Sequence, residues 1–199
     1  MRLQSNLKVI LAVFFMSASL TAVAQSAPSA TKGGWPLAAG GGVSVMNPDY
    51  GHGSMVGITV WGDYVPQWVP RWLYGIGLDA EGRDLNYHRS STQANLREDS
   101  IGGGPIYFWM HYQRFHPFIK ALAEYGNFEY EPYPGIRSHN TRTLAVFGGG
   151  IEYQVHGNIW ARGDYEYQYW PSAIYTYTPA ASAEPQGFTV GVLYHLSGR

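Results

Sequence analysis

From Ala39 onward the chain alternates apolar and polar side chains with a period of two, the spacing of a strand with two unlike faces. The clearest stretch is 158–169. Ile159, Ala161, Gly163, Tyr165, Tyr167 and Tyr169 share one face there, and Asn158, Trp160, Arg162, Asp164, Glu166 and Gln168 share the other. The last stretch repeats this: Phe188, Val190, Val192, Tyr194 and Leu196 oppose Gly187, Thr189, Gly191, Leu193 and His195. In a sixth strand Ala145, Phe147, Gly149, Ile151 and Tyr153 point one way, and Leu144, Val146, Gly148, Gly150, Glu152 and Gln154 the other. A strand of a soluble sandwich alternates in the same manner, but ~9–11 tilted residues is also the length that crosses a bilayer.

Five further strands are predicted at 37–46, 55–64, 72–84, 100–110 and 117–128, for about eight in all. Their apolar faces include Val56, Ile58 and Val60, then Trp72, Tyr74, Ile76, Leu78 and Ala80, then Ile119, Ala121, Ala123 and Tyr125. Asp79, Glu81 and Arg83 face the other way, as do Lys120 and Glu124. The stretch 100–110 has no polar face, because Ile106, Phe108 and Met110 oppose Tyr107 and Trp109. Links after even-numbered strands are short (155–158, and around 113–116), whereas 86–99, 129–141 and 170–185 after odd-numbered strands are long and polar. Short periplasmic turns with long outer loops are the habit of outer-membrane barrels. The brief link 47–54 and the long link 65–71 depart from it. Gly102, Gly103 and Gly104, like Gly148, Gly149 and Gly150, lie inside strand patterns, where glycine marks a bend or room for a long opposing side chain.

The first residues read as an export signal. Arg2 and Lys8 precede the apolar run 9–16, and Ala22-Val23-Ala24 supplies a cleavage site, so the mature chain is expected to begin at Gln25. Residues 25–36 read as a flexible periplasmic leader and 37–199 as the barrel domain. Composition narrows the rest: aromatics make up 16% and charged residues only 14%, which favours strands over a disordered polar chain. A formal charge of −1 with no basic stripe argues against nucleic acid as partner. The lack of cysteine removes disulfides, thiolate metal sites and cysteine-borne lipid anchors.

Alternation alone does not say which face points outward. Trp61, Tyr64, Trp68, Trp72, Tyr74, Trp109, Tyr112, Tyr153, Trp160, Tyr165, Tyr167, Tyr169 and Trp170 gather near strand ends, as in the aromatic girdles of membrane barrels. With the apolar face toward lipid, Asp79, Glu81, Glu124, Glu152, Asp164 and Glu166 would share the lumen with Arg83, Lys120 and Arg162. An eight-stranded bore is only wide enough for side chains, and an unpaired buried ion costs several kcal/mol. These nine are therefore expected to form a lumenal charge network. The alternative is a solvated outer face of a soluble sheet.

Over 39–196 the chain resembles the small outer-membrane β-barrel family typified by the transmembrane domain of outer membrane protein A and the opacity-type surface proteins. Ala22-Val23-Ala24 before Gln25, the glycine-punctuated run 147–153, Arg162-Gly163-Asp164-Tyr165-Glu166-Tyr167 and the run 187–196 carry the resemblance. It implies an all-β, closed, up-and-down antiparallel transmembrane barrel in the bacterial outer membrane. It also implies outer-membrane lipid as surroundings and the barrel-insertion machinery as an assembly partner. Family members usually end on an aromatic residue, where this chain has Leu196 followed by Ser197-Gly198-Arg199.

The functional expectation is a non-enzymatic surface barrel, structural or adhesive, whose outer loops meet an extracellular ligand of unknown identity. A narrow pore is the alternative, cation-preferring because lumenal acids outnumber bases. A lipid-modifying enzyme would need a base, a serine and an orienting acid at the rim. The candidates for it are His88-Arg89-Ser90 with Glu98 across the loop, and His195-Leu196-Ser197 at the other end. No cofactor or metal site is expected: His111 and His116 flank a turn and His139 lies in a loop, without ligand spacing to a carboxylate.

Overall fold

The computed structural model describes residues 37–49, 53–66, 70, 74–87, 95–111, 114–133, 136–173 and 181–196. The strands are β1 (Leu37–Asn47), β2 (Met55–Tyr64), β3 (Ile76–Tyr87), β4 (Asn95–Phe108), β5 (Phe115–Tyr133), β6 (Ile136–His156), β7 (Ile159–Ala173), β8 (Ala181–Ala183) and β9 (Gln186–His195). Each long strand pairs antiparallel with the next, and β9 returns to β1 through Ala38↔His195 to Asn47↔Gln186. That last ladder closes an eight-stranded, up-and-down barrel, with β8 a three-residue addition to the outer end of β7.

Closure leaves each strand an inner and an outer face, and the apolar side chains take the outer one. Val43, Ile58, Leu78, Ile101, Ile119 and Val190 are all more than half exposed on the wall, up to 69% at Ile101. In water such a surface would be untenable; in hydrocarbon it is the favourable side. Aromatics flank it. Tyr64, Tyr74, Trp109, Phe115, Tyr153 and Tyr194 are exposed toward the end that carries the short turns, and Tyr125, Tyr165, Tyr169 and Phe188 toward the other. Tyr165 packs on Phe188 with ring centroids 4.9 Å apart and donates its hydroxyl to Gln186.

Three tryptophans break the girdle expectation. Trp61, Trp160 and Trp170 are 5%, 2% and 2% exposed and point into the barrel. Their parity explains it, since each lies an even number of residues from an inward polar group: Asp63, Arg162 and Gln168. Trp68, Trp72 and Tyr112 lie outside the described residues.

The strands are longer than the hydropathy pattern predicts, and mostly at one end. The described residues of the expected loops 86–99 and 129–141 are strand, with Tyr87 paired to Leu96, and Glu129 to His139. Part of 170–185 is strand as well, since β7 runs to Ala173. Above the apolar band the outer face meets water, so polar residues such as Asp84, Arg97, Asp99 and Asn127 continue the ladder without ending it. At the other end β3 starts four residues late, at Ile76. Gly75 adopts φ +97°, and a Cβ there would sit 2.1 Å from the Phe108 carbonyl oxygen. The Phe108 amide donates to the Gly75 carbonyl at 2.8 Å, and this turn holds Tyr74 outside the strand.

The β6–β7 connection is two residues, Gly157 (φ +53°) and Asn158, and the link 109–114 is short too. By the short-turn rule this is the periplasmic end. Opposite, β5 and β6 project as a hairpin of 19 and 21 residues. The β6–β7 ladder stops at Ala145↔Tyr169 because Pro171 has no amide to donate. Among the described residues, β6 before Ala145 therefore pairs with β5 alone.

Val190 sits near the middle of the lipid face, opposite Val43 and Gly163. The substitution Val190→Arg is expected to cost about 2–4 kcal/mol of folding free energy in a bilayer. Urea titration of folding into lipid vesicles, followed by heat-modifiable gel mobility, measures it. A cost near zero would place Val190 away from lipid.

Candidate functional site

The inner face is layered. At mid-barrel, β2 to β7 supply eight buried carboxylates, Asp63, Asp79, Glu81, Glu98, Glu124, Glu152, Asp164 and Glu166, against three bases, Arg83, Lys120 and Arg162. Each base is a hub. Lys120 reaches Glu81 at 2.6 Å, Asp164 at 2.9 Å, Asp79 at 3.9 Å, and also Glu166. Arg83 holds Glu81 at 2.6 Å, Glu166 at 2.7 Å and Glu124 at 3.3 Å. Arg162 spans Asp63 and Asp79, both at 3.0 Å, with Asp164 at 3.5 Å and Glu152 at 3.8 Å. Its guanidinium also stacks on Phe118 and Trp61, 4.4 Å and 4.9 Å from their ring centres.

Glycine makes these reaches possible. A Cβ on Gly148 would lie 3.0 Å from the Lys120 Cε and 3.1 Å from the Glu166 Cγ, so the bare backbone is the floor on which that pair lies. Near the periplasmic end, Gly191 leaves the space that the Trp61 indole occupies, with its Cη2 only 2.6 Å from where a Cβ would stand. Small residues on one strand thus match long side chains on another, and the bore is filled.

Apolar layers bound the ionic one. Toward the outer end Met46, Met55, Leu85, Leu96, Leu122, Phe128, Leu144, Val146, Trp170 and Ala183 form one buried cluster. Through it runs a polar thread: the Trp170 indole donates to Gln168 Oε1 at 2.7 Å, and Gln168 Nε2 donates to Glu98 Oε1 at 2.9 Å. Toward the periplasmic end are two smaller clusters, Ala38, Trp61, Trp160 and Leu193, and Ile106, Phe108 and Phe118. This accounts for the missing polar face of 100–110, since Ile106 and Phe108 belong to an apolar layer. The polar inward residues of β4, Glu98 and Ser100, lie at or before the expected start of that strand.

All nine charged residues named from the sequence lie in this layer. Asp63 and Glu98 were missed. Asp63 was legible from its parity with Thr59 and Trp61 on β2. Glu98 was assigned to a loop, as the acid of a rim triad, and the structure corrects this: it is fully buried within β4 and bonded to Gln168. His88, Arg89, Ser90 and Ser197 lie outside the described residues, and no group of three or more His, Asp or Glu among the described residues has metal-holding geometry.

A model of the outer membrane protein beta-barrel domain matches residues 11–195. Among solved structures, Neisserial surface protein A aligns with a TM-score of 0.61 at 14% identity, covering 79% of this chain and 94% of its own. Ail, the attachment invasion locus protein of Yersinia pestis, aligns with a TM-score of 0.52 at 15% identity, covering 79% and 95%. Ail in complex with the heparin analogue sucrose octasulfate gives a TM-score of 0.53 at 14% identity over the same shares, 79% and 95%. At these identities the likeness is one of fold. No curated protein sequence matches the chain.

Removing one hub strands several ions at once. Arg162→Ala is expected to destabilise the barrel by about 3–5 kcal/mol, the cost of leaving buried partners uncompensated. Arg97→Ala, which breaks pairs to Asp84 and Asp99 that are 38–48% exposed, should cost under about 1 kcal/mol. Urea midpoints of the two variants side by side test the contrast.

Proposed function

The chain belongs to the outer membrane protein beta-barrel domain family, and from that membership we propose a non-conducting surface barrel, structural or adhesive, that acts through its projecting outer strands. The observation that carries this reading is the side-chain-filled bore: a buried ionic layer organised around Arg83, Lys120 and Arg162 and bounded by apolar clusters on both sides. Ions would have to cross those layers without hydration.

The outer side offers contact surface instead. At 19, 21 and 15 residues, β5, β6 and β7 exceed the ~9–11 needed to span. Their outer ends carry Asn127, Glu129, His139, Asn140, Thr141 and Arg142. Among the described outer residues, Asp49, Asp84, Asp99, Glu129, Glu131 and Glu184 outnumber the exposed Arg97 and Arg142, and Arg97 is already held by Asp84 and Asp99. The solved complex of Ail holds a heparin analogue. The charge balance here favours a neutral or cationic surface over such a polyanion.

The reading includes export: the signal is removed after Ala24, residues 25–36 lead into the barrel, and the barrel-insertion machinery seats it in the outer membrane. A narrow cation-preferring pore is the second reading. The surplus of buried acids favours it, and the apolar layers stand against it.

Planar-bilayer recording separates the two. The expected trace has no stable porin-sized conductance, and neutralising Glu124 and Asp164 together should leave the baseline as it was. A reproducible channel whose cation selectivity falls in that double variant would establish the pore. For the surface role, replacing 131–138 with a two-residue turn should keep heat-modifiable folding but reduce attachment of expressing cells to host-cell layers. Undiminished attachment would remove the hairpin from the mechanism.

A further inference from the structure

At the periplasmic end of the bore, Trp160 of β7 is buried between two imidazoles. His116 of β5 stacks on its indole with centroids 4.6 Å apart and planes 29° from parallel, and His195 of β9 lies at 4.9 Å and 49°. Beside them is Glu152 of β6, the direct cross-strand partner of both His116 and Arg162. Its Oε2 is 3.8 Å from the Nε2 of His195. Four strands thus bring together two histidines, an indole and a carboxylate that are far apart in sequence.

The surroundings fix the sign. Arg162 of β7 lies 3.8 Å from Glu152 and opposes further positive charge. Around that arginine, among the described residues, stand the carboxyl groups of Glu152 itself, of Asp63 of β2 bound to the same arginine, and of Asp79 and Asp164 behind them. Ala38 of β1, Trp61 of β2 and Leu193 of β9 pack with Trp160 in one apolar cluster. Access is one-sided. The His195 side chain is 28% exposed, while the outer approach to the charged layer is closed by the ten-residue apolar cluster. Among the described members of this group, His195 is the one that reaches solvent.

We infer that His116, Trp160, His195 and Glu152 form a proton-operated latch at the periplasmic mouth. Histidine is the side chain whose charge ordinarily changes between about pH 5 and 8. Once protonated, His195 is drawn to the Glu152 Oε2 beside it, and each imidazolium gains the π-face of Trp160. The indole is then held from both sides. Neutral imidazoles retain the stacking and lose both charge-based contacts. The mouth tightens as periplasmic pH falls from about 7.5 to about 5.5. This inference is independent of any adhesive role.

The test uses the mature chain folded in lipid vesicles. Imidazolium in contact with indole quenches its emission, so the difference in fluorescence between the parent and Trp160→Phe isolates Trp160. That difference should fall with a midpoint between about pH 5 and 7.5, fall less in His195→Gln, and stay flat in the double variant His116→Gln/His195→Gln. Unfolding in urea should be several-fold slower at the acid end than at the neutral end for the parent, with the ratio near one in the double variant. A flat Trp160 signal in the parent, or an unchanged rate ratio in the double variant, overturns the latch. Should the double variant not fold, the histidine ring resonances of the parent decide: His195 titrating together with Trp160 emission supports the latch, and a His195 ring that does not titrate between about pH 5 and 8 refutes it.

Discussion

Hydrocarbon offers no hydrogen bonds, so a backbone that crosses it must satisfy every amide from within. For strands this requires a ring, and the ladder between β1 and β9 makes the ring out of what would otherwise be a meander with two raw edges. Once closed, the wall has only two sides. Lipid takes the one carrying Val43, Ile58, Leu78 and Val190, and everything else must fit inside a bore about as wide as the side chains that fill it.

That confinement sets the interior chemistry. Charges that cannot reach water must find each other, and Arg83, Lys120 and Arg162 reach seven of the eight buried acids only by being shared, while Glu98 takes an amide hydrogen from Gln168 instead. Sharing needs reach across the bore, and reach needs bare backbone opposite, as at Gly148 beneath Lys120 and Glu166. The glycines, the long cationic chains and the carboxylates are one solution. The hydroxyl trio of Ser44, Thr59 and Thr189, with oxygens 2.5 Å and 2.7 Å apart, solves the same problem without charge on the β2–β1–β9 side.

Much of this was legible beforehand, because a period of two and an all-or-none choice of face leave little freedom. Arg162, Asp164 and Glu166 declared their side as soon as Tyr165 and Tyr167 declared theirs. Where the reading failed, it failed on aromatics and on ends. A tryptophan near a strand terminus fits a girdle or a plug equally well by composition, and only its parity with Asp63, Arg162 or Gln168 tells them apart. Strand ends were misplaced because hydropathy reports where lipid stops, while the ladder of β3 to β6 continues into water with Asp84, Arg97, Asp99 and Asn127. Glu98 was misread for the same reason. The sharing of each base among several acids depends on inter-strand register, which no local pattern encodes.

The interruption at Pro171 has a consequence for how these molecules crowd together. Among the described residues it leaves the outer part of β6 paired on one side only, the sort of border that in soluble sheets recruits an identical border and grows fibrils. Two copies embedded in one membrane stand upright on a common normal, so their β6 strands descend in the same sense. Each leans by ~35–45°, and rotating one copy half a turn about that normal makes the leaning strands cross like the arms of an X. Two copies related in this way would meet at a point instead of along a seam, so shared orientation in a membrane works against zipping barrel to barrel.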